Sequence, residues 1–169
     1  MDKEKEFEEI YKKYSKDIYS YLLFLSLSKE EAEDILQDVF IKFWKLFDRL
    51  KNLENIKAYL LKMARNRLID LKRRERNLKF VELNEEIFDF KIEDHAEKIK
   101  KKEFVKKIME NLEEEEREII ILRFYENLKF REISEILSVN ENTLRVKYLK
   151  ILEKIRKYVY NYNYEEQKS

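Results

Sequence analysis

The sequence predicts an all-α protein made of two small helical domains joined by a linker, the second of which contains a helix-turn-helix. Apolar residues recur every three or four positions, as on the buried face of an amphipathic helix. No segment alternates apolar and polar residues as strands do, and glycine and proline are absent. With 44% hydrophobic and 43% charged residues, the composition is that of folded helices with charged outer faces.

Composition also excludes several classes of function. The chain has no cysteine and a single histidine, His95, which excludes disulfides, thiolate chemistry and histidine-rich metal centres. Phosphate-cradling loops need glycine, so the absence of glycine argues against nucleoside-triphosphate and dinucleotide folds. No apolar run approaches the roughly 20 residues of a membrane span, and the first residues do not resemble a signal peptide. We therefore expect a cytoplasmic protein without membrane insertion.

Three helices are predicted in the first domain, residues 1–77. Spaced apolar and aromatic residues place the first helix at about 3–26. Ser28 opens the second helix with a capping box, Ser-Lys-Glu-Glu. After a polar break at 48–54, Asn55 caps a third helix that ends in a Lys-Arg-Arg run.

The linker is predicted at 78–98, because clean periodicity is lost there. The second domain spans 99–160 and is followed by a tail, 161–169. Its helices are expected at about 97–111, 114–125 and 129–137, and from Asn140 onward. A short helix, a tight turn and a longer helix capped by Asn140 form a helix-turn-helix.

The last helix presents a candidate DNA-reading face. With Leu144 inward and a rotation of about 100° per residue, the outward positions are Asn142, Thr143, Val146 and Lys150, flanked by Arg145 and Lys147. Polar side chains on the first turns of such a helix can reach base edges, while lysines neutralise phosphate. A solvated helical face would show the same pattern.

The other two candidate faces lie on the second and third helices. Charge is segregated between them, since 30–38 carries five acids and no base, whereas 62–76 carries seven bases and two acids. The third helix turns Lys62, Arg65, Asn66, Asp70 and Arg73 outward, with Lys72 and Arg74 at its end. The second helix turns Asp34, Gln37, Asp38 and Ile41 outward. On the second helix, an isoleucine among acids suggests a partner surface, although single exposed apolar residues are common. For the third helix, a solvated basic face would show the same pattern.

Three blocks of the sequence resemble the sigma-70 family of RNA polymerase sigma factors. Residues 32–40, with Phe43 and Trp44, are similar to the family's core-polymerase-binding segment. Residues 58–74 resemble its −10 recognition helix. The remaining matches, to its −35 reader, fall at 112–117, 122–123, 130–137, 143–145 and 152–156. The short linker is similar to that of the extracytoplasmic-function (ECF) group.

The resemblance implies a non-enzymatic protein that gives RNA polymerase its promoter recognition. It also implies that the chain uses no catalytic residue, metal or cofactor. Core polymerase would contact Asp34, Gln37, Asp38 and Ile41, with Phe40 and Trp44 mainly in the core. Single-stranded −10 DNA would contact Lys62, Arg65, Asn66, Asp70, Lys72, Arg73 and Arg74. The third helix and the loop 48–53 would together engage the −10 element, where a flipped base enters a pocket. Double-stranded −35 DNA would contact Asn142, Thr143, Arg145, Val146, Lys147 and Lys150. An anti-sigma factor is implied as a further partner.

The sequence departs from the family at positions that often hold glycine. Asn127, Ser138 and Asn142 stand there. Asparagine tolerates the left-handed backbone conformation better than serine does, so strain of about 1 kcal/mol is expected at Ser138.

Two rival interpretations remain open at this stage. A stand-alone helix-turn-helix regulator would bind an operator without joining polymerase, and would not need the second-helix face. An interaction scaffold, such as a polymerase-binding decoy, would not need both basic helices.

Overall fold

The computed structural model describes residues 2–74 and 95–169. Within these ranges the chain is helical and contains no β-strand, which confirms the all-α fold. The helices are α1 (Lys3–Phe24), α2 (Lys29–Lys45), α3 (Phe47–Leu50), α4 (Ile56–Arg74), α5 (His95–Glu110), α6 (Glu114–Ile120), α7 (Phe130–Leu137) and α8 (Glu141–Lys168), with a π-helical turn at Ile121–Tyr125 after α6. Most of the expected linker, 78–94, lies outside the described residues.

The first domain packs α1, α2 and α4 around an aromatic core. Tyr21, Phe24, Phe43 and Phe47 are completely buried, and the Phe7 and Phe43 rings stack with their centroids 6.2 Å apart. The expected caps are in place, since Ser28 accepts a hydrogen bond from the Glu31 amide and Asn55 accepts one from the Ala58 amide at 3.0 Å. These caps fix where α2 and α4 begin.

The structure differs from the expected boundaries in three places. The short helix α3 lies in the expected polar break, because Phe47 and Leu50 turn into the core. Helix α5 begins at His95, within the segment expected as linker. Helix α8 runs to Lys168 through the expected tail, where the Tyr162 ring packs against Phe104 of α5 at 4.9 Å.

The turn between α7 and α8 carries the expected backbone strain. Ser138 adopts φ 55° and ψ 42°, the left-handed conformation that glycine accepts most easily. Ser134 secures the turn, since its hydroxyl donates to the Val139 carbonyl at 2.6 Å. Asn127 is also left-handed, with φ 55°, as is Ser26, with φ 65°, which the sequence did not single out. Asn142, in contrast, lies inside α8.

The two domains share one apolar core. Buried residues of α1, α2 and α4 are continuous with those of α6, α7 and α8. Helix α4 packs against α7, and the Phe24 ring of α1 meets Tyr125 of the π-helical turn edge-on at 4.7 Å. The basic helix of the first domain therefore lies against the second domain.

Candidate nucleic-acid and polymerase interfaces

The first turns of α8 present an exposed polar surface. The Asn140 side chain accepts hydrogen bonds from the amides of Asn142 at 2.9 Å and Thr143 at 3.4 Å, which fixes the start of the helix. Leu144 is completely buried. Asn142, Thr143, Val146 and Lys150 are exposed, as the helical projection requires.

The two cations that flank this surface are held by neighbouring side chains. Arg145 donates to the Glu141 carboxylate at 2.9 Å, and its guanidinium lies 4.8 Å from the centroid of the Phe130 ring. Lys147 lies 2.8 Å from the Glu115 carboxylate of α6. A phosphate would compete with Glu115 for Lys147, whereas Arg145 is already oriented beside the exposed surface.

Leu149 belongs to the same surface and was missed in the sequence. Its side chain is 65% exposed, and Val146, three residues earlier, is 54% exposed. Leu149 lies three residues from Val146 and seven from Asn142, so all three share one helix face. This spacing could have predicted Leu149 from the sequence. The reading face therefore combines polar groups with an apolar strip.

Helix α4 divides its expected DNA-contacting residues between exposed and half-buried positions. Asn66, Lys72, Arg73 and Arg74 are exposed, whereas Lys62, Arg65 and Asp70 are half-buried. Asp70 lies 3.4 Å from Arg67 and 3.5 Å from Arg74. These ion pairs explain an aspartate on a basic face without requiring a base contact.

The expected polymerase face on α2 is connected to α4. Asp34, Gln37 and Ile41 are exposed, and Asp38 accepts from Arg67 of α4 at 2.8 Å. A groove of about 760 Å³ between the helices is lined by residues of both expected faces, among them Asp38, Ile41, Asn66 and Arg73. The two surfaces are therefore adjacent.

The aromatic residues Phe40 and Trp44 on α2 are buried to different degrees. Phe40 is 4% exposed. Trp44 is half-buried, with its ring edge-on to Phe7 at 5.0 Å and the Lys3 ammonium 4.7 Å from its centroid. Phe40 is thus a core residue, and Trp44 lies at the edge of the core.

Charged groups also meet between the domains, which the sequence did not indicate. Glu118 of α6 is nearly buried and accepts hydrogen bonds on one oxygen from Arg65 of α4 at 2.7 Å and from the Tyr21 hydroxyl of α1 at 2.5 Å. Burial, together with the Glu118 carboxylate, raises the pKa of Tyr21 well above its ordinary value. Lys57 of α4 lies 2.9 Å from the buried carboxylate of Glu126, and burial raises the pKa of Glu126 despite this lysine.

Within the described residues, no group of His, Cys, Asp or Glu side chains is arranged to hold a metal ion. The described helices also include none long and apolar enough to cross a membrane. The chemistry that these surfaces offer is recognition by hydrogen bonds, charge and apolar contact.

Comparison with known proteins identifies the family. The model of sigma-70 region 2 matches residues 10–78, and a model of sigma-70 region 4 matches residues 105–155. The chain belongs to the sigma-70 family. Region 2 thus contains α2 and α4, and region 4 contains the helix-turn-helix.

Curated relatives place the chain in the ECF group. It is 29% identical over 141 residues to the ECF RNA polymerase sigma factor SigM of Bacillus subtilis (strain 168), covering 79% of this chain and 83% of SigM. It is 25% identical over 166 residues to the ECF sigma factor SigX of the same strain, covering 92% of this chain and 84% of SigX.

Solved structures share the fold. The sigma factor RpoE from Bartonella quintana, solved in complex with the anti-sigma factor NepR, aligns with a TM-score of 0.69 at 18% identity. The alignment covers 90% of this chain and 96% of RpoE. CnrH, solved with the cytosolic domain of CnrY, aligns with a TM-score of 0.59 at 15% identity, over 90% of this chain and 86% of CnrH.

Proposed function

We propose that this sigma factor joins core RNA polymerase through α2, reads the −35 element with α8 and holds the melted −10 strand with α4. The observation that carries this assignment is the presence, in one fold, of an exposed acidic and apolar face on α2 beside two separate basic helices. A DNA-binding regulator would need one basic helix, whereas recruitment of polymerase and opening of DNA need all three surfaces.

The α8 surface is suited to the major groove. Asn142, Thr143 and Arg145 can hydrogen-bond base edges, and Lys150 neutralises phosphate. Val146 and Leu149 offer apolar contact, and the apolar feature that a base presents in the major groove is the thymine methyl group. We assign these two residues to thymines of the −35 element.

The α4 surface is suited to a single strand. Asn66 is exposed beside Arg73 and can hydrogen-bond an unpaired base, while Lys72, Arg73 and Arg74 hold the backbone. Taking a base out of the stack costs a few kcal/mol. Binding of the separated strand by α4 and the loop 48–53 offsets that cost, so melting requires no nucleotide hydrolysis and no enzymatic step by this chain.

The partners follow from these surfaces. Core polymerase would bind Asp34, Gln37, Asp38 and Ile41, and the protein would act in the cytoplasm, where polymerase and promoter DNA are found. Since RpoE was solved with an anti-sigma factor, we include an anti-sigma factor among the partners of this chain.

Reconstitution with core polymerase tests the assignment. The full chain should bind core polymerase in a pull-down and direct transcription from a subset of a random promoter library. Asp34→Ala with Gln37→Ala should weaken polymerase binding at least about tenfold, as loss of contacts at an interface centre does, without changing DNA affinity. Glu165→Ala with Gln167→Ala likewise removes one carboxylate and one glutamine amide, from an exposed part of α8, and should have no effect.

Each of the other outcomes would assign a different function to the chain. DNA binding without capture of polymerase would make the chain a stand-alone regulator. Capture without transcription from any promoter would make it a decoy. Unchanged capture by the double variant would remove α2 from the polymerase interface.

A further inference from the structure

Arg145, on the reading face of α8, is held by two different contacts. One edge of its guanidinium donates to the Glu141 carboxylate at 2.9 Å, and the same group lies over the Phe130 ring, 4.8 Å from its centroid. The ion pair is exposed, with 54% of the Arg145 side chain and 41% of the Glu141 side chain accessible to solvent. Exposed ion pairs do little to keep a side chain in one orientation. The ring is therefore the contact that restricts Arg145.

The Phe130 ring is itself held in place. The Arg123 guanidinium lies over it, 4.4 Å from the centroid, and is anchored in turn by donating to the Leu128 carbonyl at 2.8 Å. The Tyr148 ring of α8 meets Phe130 edge-on at 5.0 Å. A ring that is restrained by these neighbours presents a fixed surface to Arg145.

An uncommon backbone turn brings Arg123 to this ring. Arg123 lies in the π-helical turn Ile121–Tyr125, where the Glu126 amide donates to the Ile121 carbonyl, five residues earlier, at 2.9 Å. Asn127 follows in the left-handed conformation. Turns of the π-helical type are rare and are frequent at functional sites. The turn thus stands where the support of the Phe130 ring begins.

The contact with Phe130 leaves Arg145 able to recognise a base. A guanidinium that lies over a ring keeps the N–H donors on its edge for other acceptors, and the Glu141 bond occupies only one of them. Two donors of an arginine match the O6 and N7 acceptors that guanine presents in the major groove. An orientation that is set before DNA binds also reduces the side-chain freedom lost on binding. Arg145 is therefore arranged to read a guanine.

We propose that Phe130 is a positioning residue for the −35 element, which fixes the direction of Arg145 so that Arg145 reads a guanine. The proposal rests on the proposed function, which assigns α8 to −35 DNA. Phe130 acts through Arg145 and makes no base contact of its own. It is therefore a determinant of sequence preference that lies outside the reading helix.

The orientation of Arg145 can be measured without DNA by nuclear magnetic resonance of the isotopically labelled full chain. A proton over the face of an aromatic ring is shifted upfield, so the Arg145 Hε signal should lie upfield of that of Arg131. Arg131 is an exposed arginine of α7 that also pairs with a glutamate four residues away. Phe130→Leu should abolish the upfield shift. An Arg145 signal in the parent at the position of the Arg131 signal would overturn the proposal.

Base preference is measured by selecting duplexes with a randomised −35 element on the full chain. The parent should enrich guanine at the position where Arg145→Ala loses its preference. Phe130→Leu should reduce this enrichment about two- to fivefold, the factor that an exposed cation–π contact represents, and should leave the other positions unchanged. The salt dependence of binding should stay the same, because no phosphate contact is lost.

Three further variants separate positioning from folding. Phe130→Tyr keeps the ring and should retain both the upfield shift and the guanine preference. Phe124→Leu removes a neighbouring exposed ring that packs against Tyr148 at 6.0 Å, and it should behave as the parent does. Phe130→Met lacks the ring and replaces Phe130→Leu if that variant loses helicity by circular dichroism.

A double variant tests whether Phe130 acts through Arg145. Phe130→Leu should cause no further loss of preference in Arg145→Ala, because both changes remove one contact. Additive losses would overturn the proposal. Unchanged guanine preference in Phe130→Leu and Phe130→Met would do so as well, and so would an equal loss at every position of the element.

Failure of the proposed function has a different signature. A parent that shows the upfield Arg145 signal but selects no −35 sequence would contradict the assignment of α8 to DNA, and the role of Phe130 in base preference would fall with it. A selective parent whose preference does not depend on the Phe130 ring would overturn the positioning role alone.

Discussion

Helices α4 and α8 are both basic, but they are situated differently. The cations Lys57, Arg65 and Lys72 of α4 pair with carboxylates of the other domain. On α8, Arg145 and Lys147 pair within region 4, and Lys150 makes no ion pair within the described residues. One basic helix is therefore partly covered by the other domain, and the other is open.

This difference shows that the chemistry of a helix face and its accessibility are separate properties, which a sequence pattern does not distinguish. A row of basic residues indicates which chemistry a face can perform, but not whether the face is accessible. Accessibility depends on residues distant in sequence, such as Glu118, which lies 53 positions from Arg65. In this structure, the open helix is the one whose basic side chains duplex DNA can reach directly.

The largest effect is expected at the covered helix. Asn66→Ala with Asp70→Ala should reduce permanganate-reactive thymines at −10 at least about tenfold, since Asn66 would contact an unpaired base and a good base contact contributes about 1–3 kcal/mol. Asp70 would add to the effect either by a base contact or by holding Arg67 and Arg74. Binding to the −35 element should change little. Asn163→Ala, an exposed asparagine near the end of α8, is the matched control.

The single variants distinguish two roles for Asp70. Asp70 lies within ion-pair distance of Arg67 and Arg74, so Asp70→Ala can act by releasing these arginines rather than by losing a base. Asp70→Asn, which retains an acceptor but not the charge, should then resemble Asp70→Ala. Full melting by the double variant would remove α4 from the mechanism and assign melting to the loop 48–53.

A smaller effect is expected from the open helix. Lys150→Ala should weaken −35 binding on all sequences and reduce the salt slope by about one unit, the contribution of one phosphate contact. Lys147→Ala should reduce the slope less, because the pairing of Lys147 with Glu115 already offsets part of its charge. Arg145→Ala should change sequence preference instead. Equal slopes for Lys150→Ala and the parent would exclude Lys150 from phosphate contact.

The apolar strip of α8 should give a smaller, sequence-specific effect. Replacing thymine by deoxyuridine in a selected −35 element removes only a methyl group, which is expected to weaken binding by about 0.8 kcal/mol, or about fourfold. In Leu149→Ala the same DNA change should have little further effect, because one contact is lost in both cases. Ile99→Ala removes an exposed apolar side chain of α5 and serves as the control. Additive losses would place the methyl group away from Leu149.

Local features of the fold were predictable because nearby residues determine them. Ser28, Asn55 and Asn140 each cap a helix as expected, since capping needs only a side-chain acceptor and the next turn of backbone. The left-handed Ser138, in contrast, was expected from the glycine that the sigma-70 family often has at this position. The exposed face of α2 followed from helical periodicity.

Features that depend on tertiary contacts were not predictable in the same way. Glu118 and Glu126 carry charges that a helical pattern assigns to the outer face, and their burial depends on cations from another domain. Helix α3 forms because Phe47 and Leu50 reach the core, although the surrounding residues are polar. Helical spacing could have placed Leu149 on the exposed face of α8, but its exposure in the structure is what identified it.

The smallest expected effect comes from the pKa values of the carboxylates that pair with the two basic helices. Glu126, paired with Lys57 of α4, has a raised pKa because burial outweighs that lysine, and Asp17 raises it further. Glu116 is paired with Lys154 of α8. Burial opposes its ionisation, but hydrogen bonds from Lys154 and the Glu113 amide outweigh burial and lower its pKa.

The two glutamates should therefore change stability with pH in opposite directions. Around the ordinary pKa of 4.5, the unfolded chain ionises Glu126 before the folded chain does, so its contribution to the free energy of unfolding falls as pH rises from 4.5 to the raised pKa. The contribution of Glu116 is present above 4.5 and is lost as pH falls through its lowered pKa. Urea unfolding of the parent, Glu126→Gln and Glu116→Gln between pH 3 and 7 gives each contribution as parent minus variant. The Glu126 difference should decrease with pH and the Glu116 difference should increase. Parallel slopes would contradict the distinction between a buried contact across the domains and a partly exposed one within region 4.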